Sequence, residues 1–238
     1  MAHVYGYNDP YANYRNAQHG GMVASIAAAN TNNVDSNNNF VGMSAIGYNS
    51  SIYAATRNWV PGVDTLSRMP GVKVINTAWI SSAYPDMYNE AVEDRGVVVV
   101  ASAGNNNTGT PTDYIYPAAF KNVISVSSIG HKDKTWSSFR GESFIDSHDF
   151  LWDTMSQSHQ HNDSVDIVAP GLAVLVATSS SGSTDTYLNR ATGTSFASPL
   201  VSGTIALMFD VNYCIDPKEV ETILKLTAVK IDTLPQNI

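Results

Sequence analysis

The sequence predicts an α/β fold, a three-layer αβα arrangement around a mainly parallel central sheet. Its apolar runs are short and continuous rather than alternating, which suits strands buried on both faces. These runs take turns with small-residue patterns of helical period. The chain has 238 residues, 43% of them apolar, enough to bury one full core.

Taken in chain order, the first helical pattern covers residues 20–29, where Ala, Val and Ile follow two glycines. A strand run follows at 52–55 and a second at 72–75. Residues 86–95 read as a helix and 97–101, with four consecutive valines, as a strand. Further strands are expected at 123–127, 165–169 and 174–178. Residues 195–209 form a small and apolar helical pattern, and 217–228 a helix opened by Pro217. Two stretches lack periodicity. Residues 30–39 are Asn-rich, and 139–164 are polar with His148, His159 and His161. The second reads as a surface insertion between two strands, with 159–161 a solvated loop. No Pro- or Gly-rich linker divides the chain, so a single domain is expected over residues 1–238.

Composition narrows the function classes. Thirteen Lys and Arg face 21 Asp and Glu, a net charge of −8, with no basic stripe for nucleic acid or an anionic membrane. No apolar run reaches the roughly 18 residues of a membrane span, and residues 1–10 lack the charged and apolar regions of a signal peptide. The lone Cys214 excludes an internal disulfide and a cysteine-based zinc site, and reads as a small buried apolar residue.

Three segments carry chemistry. In ATGTSFASPLVSG (residues 191–203) Ser195 opens a helix of small residues, where free N–H groups favour developing negative charge. Pro199 deprives the Ser195 carbonyl of its helical partner. In QHGGMVASIAAA (18–29) His19 stands at the start of a helix. In VVVVASAGNNN (97–107) a buried strand ends in Ala-Gly-Asn, the end where α/β folds place their sites, and Asn105 offers an amide N–H to an oxyanion. Singly, Ser195 and His19 read first as a helix N-cap serine and a capping histidine, and Asn105 has a turn asparagine as its alternative.

Together, and in this order, they resemble the subtilisin-like serine proteases, the subtilases. Gly193-Thr194-Ser195 with Ala197 and Pro199, His19-Gly20, Ala103-Gly104-Asn105, Tyr116-Pro117-Ala118 and VDIVAPG (165–171) all fit, and the likeness runs from about Gly6 to Ala228. It implies a subtilisin-like fold and a serine endopeptidase working through an acyl-enzyme. Ser195 would be the nucleophile, His19 the general base, and Asn105 the oxyanion donor together with the Ser195 N–H. Ala78, Trp79, Ile80, Ser102, Ala103, Gly104 and Ile115 would line the substrate cleft. An α/β-hydrolase is excluded, because its serine precedes its histidine and lies in Gly-x-Ser-x-Gly.

The sequence departs from the family in three places. Subtilases carry the triad aspartate upstream of the histidine, at the end of a buried strand. Here only Asp9 precedes His19; it is followed by Pro10, and residues 1–8 do not read as a buried strand. Asp9 is a weak candidate for the acid, so an N-terminally incomplete domain is expected, with little activity alone. A catalytically degenerate pseudoprotease or peptide-binding module is the alternative. The Ser-x-Gly of the substrate-pairing strand is replaced by Ala78-Trp79-Ile80, and Ile80 crowds the approach that glycine permits. Ile115 stands where the family lines the floor of its P1 pocket, which points to small P1 side chains. The expected partners are a polypeptide substrate and a propeptide or N-terminal segment, and the resemblance implies a secreted, cell-surface or periplasmic location. No cofactor is required; residues 30–39, with Asp35, are the one candidate for structural calcium, and His159-Gln160-His161 is too weak for a metal site.

Overall fold

The computed structural model describes residues 5–6, 14–39, 42–55, 59–80, 85–105, 110, 112–130, 159–179 and 186–230. Asp9, His148 and residues 139–158 of the expected insertion lie outside them.

The elements run β1 (Tyr5–Gly6), α1 (Tyr14–Ala28), β2 (Tyr53–Ala54), α2 (Trp59–Ser67), β3 (Val74–Thr77), α3 (Pro85–Glu93), β4 (Val98–Ser102), β5 (Val123–Ile129), β6 (Ile167–Pro170), β7 (Val174–Ser179), β8 (Thr186–Ala191), α4 (Thr194–Val211) and α5 (Pro217–Thr227). Strands β3, β4, β5 and β6 form a parallel sheet in that order. β1 pairs in parallel with β2, and β7 forms an antiparallel hairpin with β8.

The continuous apolar run of β4 resolves into two faces. Val99 and Ala101 pack with Ile75 of β3, Val63 of α2, and Met87, Tyr88, Ala91 and Val92 of α3. Val98 and Val100 turn the other way, onto Val201, Ile205 and Phe209 of α4 and Val220 and Leu224 of α5. Period-2 side chains of a strand covered on both sides give this division. Helix, sheet and helix are the three expected layers. Lys225 of α5 is paired to Asp166 just before β6 at 2.6 Å, pinning that helix to the sheet.

Several expectations need correction. Tyr5 and Gly6 form a two-residue strand paired with Tyr53 and Ala54, and the expected strand at 52–55 shrinks to that pair. The helix α2 was not foreseen; Pro61-Gly62 is a pair that disfavours a helix interior. Pro61 falls in its first turn, where the missing N–H has no helical partner to lose. Cys214 is exposed, in the turn that follows α4. Residues 159–161 are not a solvated loop. His159 is 4% exposed and Gln160 fully buried, because the segment lies against β5 and Gly104. Among the described residues, α4 alone has the length and composition to cross a membrane; ten of its residues are buried in the fold.

Candidate active site

Ser195 is the second residue of α4 rather than its cap. The cap position falls to Gly193, with no side-chain capping bond, so the Ser195 hydroxyl is not consumed in capping. Gly193 has φ +148°, and a methyl there would stand 3.3 Å from Asn105 Nδ2 and 3.6 Å from the Phe196 ring. Only glycine lets the chain turn this close to Asn105 before the helix starts. The helix behind Ser195 is rigid: Phe196, Ala197, Ser198 and Pro199 are all buried, and Val201 and Ile205 lock it to the sheet.

Asn105 follows β4 and is half-buried. Its Oδ1 accepts the Thr194 N–H at 2.9 Å and the Thr194 hydroxyl at 2.9 Å. The Thr194 hydroxyl in turn accepts the Gly104 N–H at 3.1 Å. With Oδ1 doubly held, the amide is fixed in one flip state, and Nδ2 remains as the donor beside Gly193 and the start of α4. Thr194 was not singled out from the sequence. Its role is visible only once the β4 loop and the helix start are brought together.

His19 lies inside α1, not at its start, because the helix begins five residues earlier, at Tyr14. Gly20 and Gly21 sit in the helix with nothing within 4 Å of an added methyl. Their apparent punctuation hides a continuous helix. The imidazole is half-buried and packs on Phe196, ring centroids 5.6 Å apart at 59°. Val23 and Ile26 of α1 pack with Phe196 and Val176 of β7, which fixes α1 against the start of α4. α1 thus meets the start of α4 through the contact of His19, Val23 and Ile26 with Phe196, the residue after Ser195.

Burial lowers the His19 pKa from its ordinary value, favouring the neutral imidazole that a general base requires. Among the described residues no carboxylate counters that shift.

The remaining sequence-predicted residues divide. Ala78 packs toward the cluster of Val23, Ile26 and Phe196, on the His19 side. Trp79 turns to the opposite face and packs on the α3 side of the core. Ile80 is 42% exposed. Ser102, Ala103 and Gly104 are buried behind Asn105, and Ile115 is buried just before the cis Tyr116-Pro117 bond. Asp35 spends its carboxylate on its own loop, accepting the Asn37 and Asn39 backbone N–H groups at 2.8 and 2.9 Å and the Asn39 amide at 3.1 Å. Among the described residues no group of three or more His, Cys, Asp or Glu gathers to hold a metal.

The profile of the subtilase family, Peptidase_S8, matches residues 2–237. A thermophilic serine proteinase of Bacillus sp. (strain AK1) is 30% identical over 202 residues, covering 80% of this chain and 42% of that protein. Subtilisin Savinase of Lederbergia lenta is 28% identical over 225 residues, 90% of this chain and 71% of that protein. Among solved structures, a protease from Pseudoalteromonas arctica PAMC 21717 superposes with TM-score 0.65 at 25% identity, over 90% of this chain and 64% of that one. The Prenylagaramide maturation protease PagA shares the fold, with TM-score 0.66 at 18% identity over 96% of this chain and 77% of that one. The chain spans only 42% of the length of the thermophilic proteinase, and 22% of that of Fervidolysin from Fervidobacterium pennivorans, which is 28% identical over 178 residues, 66% of this chain. A profile match over nearly every residue, on a three-layer fold shared with solved subtilisin-like proteases, makes this chain a member of the subtilase family.

Proposed function

We propose that the protein is a serine endopeptidase with low turnover as this isolated chain. Ser195 attacks the scissile carbonyl, and neutral His19 takes the hydroxyl proton and returns it to the leaving amine. Asn105 Nδ2 and the Ser195 N–H receive the oxyanion. The acyl-enzyme formed on Ser195 is then cleaved by water activated at the same imidazole. The observation that carries this reading is the fixed Asn105 amide, whose oxygen is tied to Thr194, the residue before Ser195. A turn asparagine needs no such orientation.

Low turnover follows from His19. Burial alone sets its shift among the described residues, so no described carboxylate holds its tautomer or stabilises the imidazolium. In subtilisin-type triads, losing the acid costs on the order of 10⁴-fold in kcat. The same observation favours the second reading, a peptide-binding module that keeps the cleft without cleavage. Polypeptide is the substrate class in either case. A minor extracellular protease, Epr, of Bacillus subtilis is 27% identical over 207 residues, 80% of this chain and 26% of that protein, which supports a secreted location.

Intact-mass measurement after treatment with a fluorophosphonate tests the assignment, with Ser195→Ala as control. Slow stoichiometric labelling of the wild type, lost in Ser195→Ala, is expected. Folded wild-type protein that takes no label overturns the enzyme reading and leaves the binding module.

A further inference from the structure

We propose that Gln160 is a specificity-determining residue that, with Ile115, closes the cleft behind Gly104 and restricts the residue before the scissile bond to a small uncharged side chain. The proposal rests on the reading above only for where a peptide lies.

In a peptide whose carbonyl is held by Asn105, the side chain of the residue that carries it begins only two bonds from the carbonyl carbon. That side chain must pass beside the backbone just before Asn105. Gly104 stands there with φ +115°, offering no side chain of its own. The space behind it is filled. A methyl on Gly104 would stand 3.0 Å from Ile115 Cγ1 and 3.4 Å from both Cγ and Oε1 of Gln160. Gln160 is fully buried and Ile115 only 9% exposed.

Gln160 is also fixed in place. Its N–H donates to the Gly104 carbonyl at 3.0 Å, and its own carbonyl accepts the Ser127 hydroxyl. Its Nε2 donates to the Thr110 carbonyl at 2.8 Å and to that of Asp113 at 3.4 Å. Asn162 donates to the same Asp113 carbonyl at 2.8 Å. Swinging the amide aside to admit a large guest would strand buried donors and acceptors, which native structures avoid. The obstruction is therefore rigid. The carboxamide also offers no charge to a basic or acidic guest.

The test is equilibrium binding of two product peptides with free carboxylates, acetyl-Ala-Ala-Ala-Ala and acetyl-Ala-Ala-Ala-Phe, followed by amide chemical shifts of the full chain. Binding of a product needs no activated serine. A failure of fluorophosphonate labelling therefore strikes the catalytic reading, and a failure here strikes the pocket. Wild type is expected to favour the Ala peptide by about tenfold or more, the scale on which a hydrophobic pocket discriminates size. Gln160→Ala is expected to erase that preference by admitting Phe. Gln160→Met keeps the bulk without the amide and is expected to retain it. Equal binding of both peptides by wild type, no binding of either, or lost preference in Gln160→Met overturns the proposal. Should Gln160→Ala fail to fold, wild type and Gln160→Met decide the matter.

Discussion

His19 sits in a place that suits its neutral form, and this has a consequence for stability. Its folded pKa is below the ordinary 6.5, through desolvation. The unfolded chain therefore binds the proton more tightly than the folded one. His19 costs nothing above pH 6.5, and stability is lost as pH falls below 6.5 toward the lowered folded value. Urea unfolding of wild type and His19→Gln from pH 8 to pH 5 should show a steeper decline on the acid side for wild type. A difference that stays flat with pH would contradict the burial of the imidazole. Addition of a carboxylate beside Nδ1 would reverse the sign, because an imidazolium with a partner raises the pKa. The two segments that meet where Asn105 holds Thr194 were legible from a dozen residues, since a Gly-Thr-Ser helix start and a strand ending in Ala-Gly-Asn are local patterns. The burial of Gln160 was not. It depends on residue 160 meeting residues 104, 110 and 113, and nothing between those positions in the chain announces the contact.

At the scale of elements, α4 holds the site to the sheet. Ile205 has no exposed surface and lies in the cluster joining α4 to Val98, Val100 and Ile124. Ile205→Ala leaves a cavity between helix and sheet and should cost about 2–5 kcal/mol in chemical denaturation. A loss below about 1 kcal/mol would mean that the helix collapses onto the sheet to refill the space. The type and order of the long elements followed from apolar runs, and their two-faced burial followed from length and absence of alternation. The misplacements share a cause. Pro61-Gly62 and Gly20-Gly21 are strong punctuation in sequence, yet Pro61 sits in a first turn and the glycine pair lies within α1. Tertiary packing of Val63 and of Val23 and Ile26 overrides what local propensity disfavours.

For the molecule as a whole, stability is unevenly distributed. β4 is buried throughout and flanked on both sides by strands, while β1 and β2 are two residues each, with Ala54 exposed. Native-state hydrogen exchange should place the amides of β4 and β5 among the slowest. Those of Tyr53 and Ala54 should exchange by local opening well before global unfolding. Uniform protection across all of these strands would show that the short pair is bound into the same cooperative unit. One further feature sits at the far end of the same frame. The single thiol, on Cys214, is exposed just beyond the last turn of α4, whereas Ser195 is in the first. An 18-residue helix spans about 27 Å. A maleimide dye or a solid support coupled at Cys214 would thus be held away from the cleft, giving an oriented attachment point that leaves the mouth of the site open.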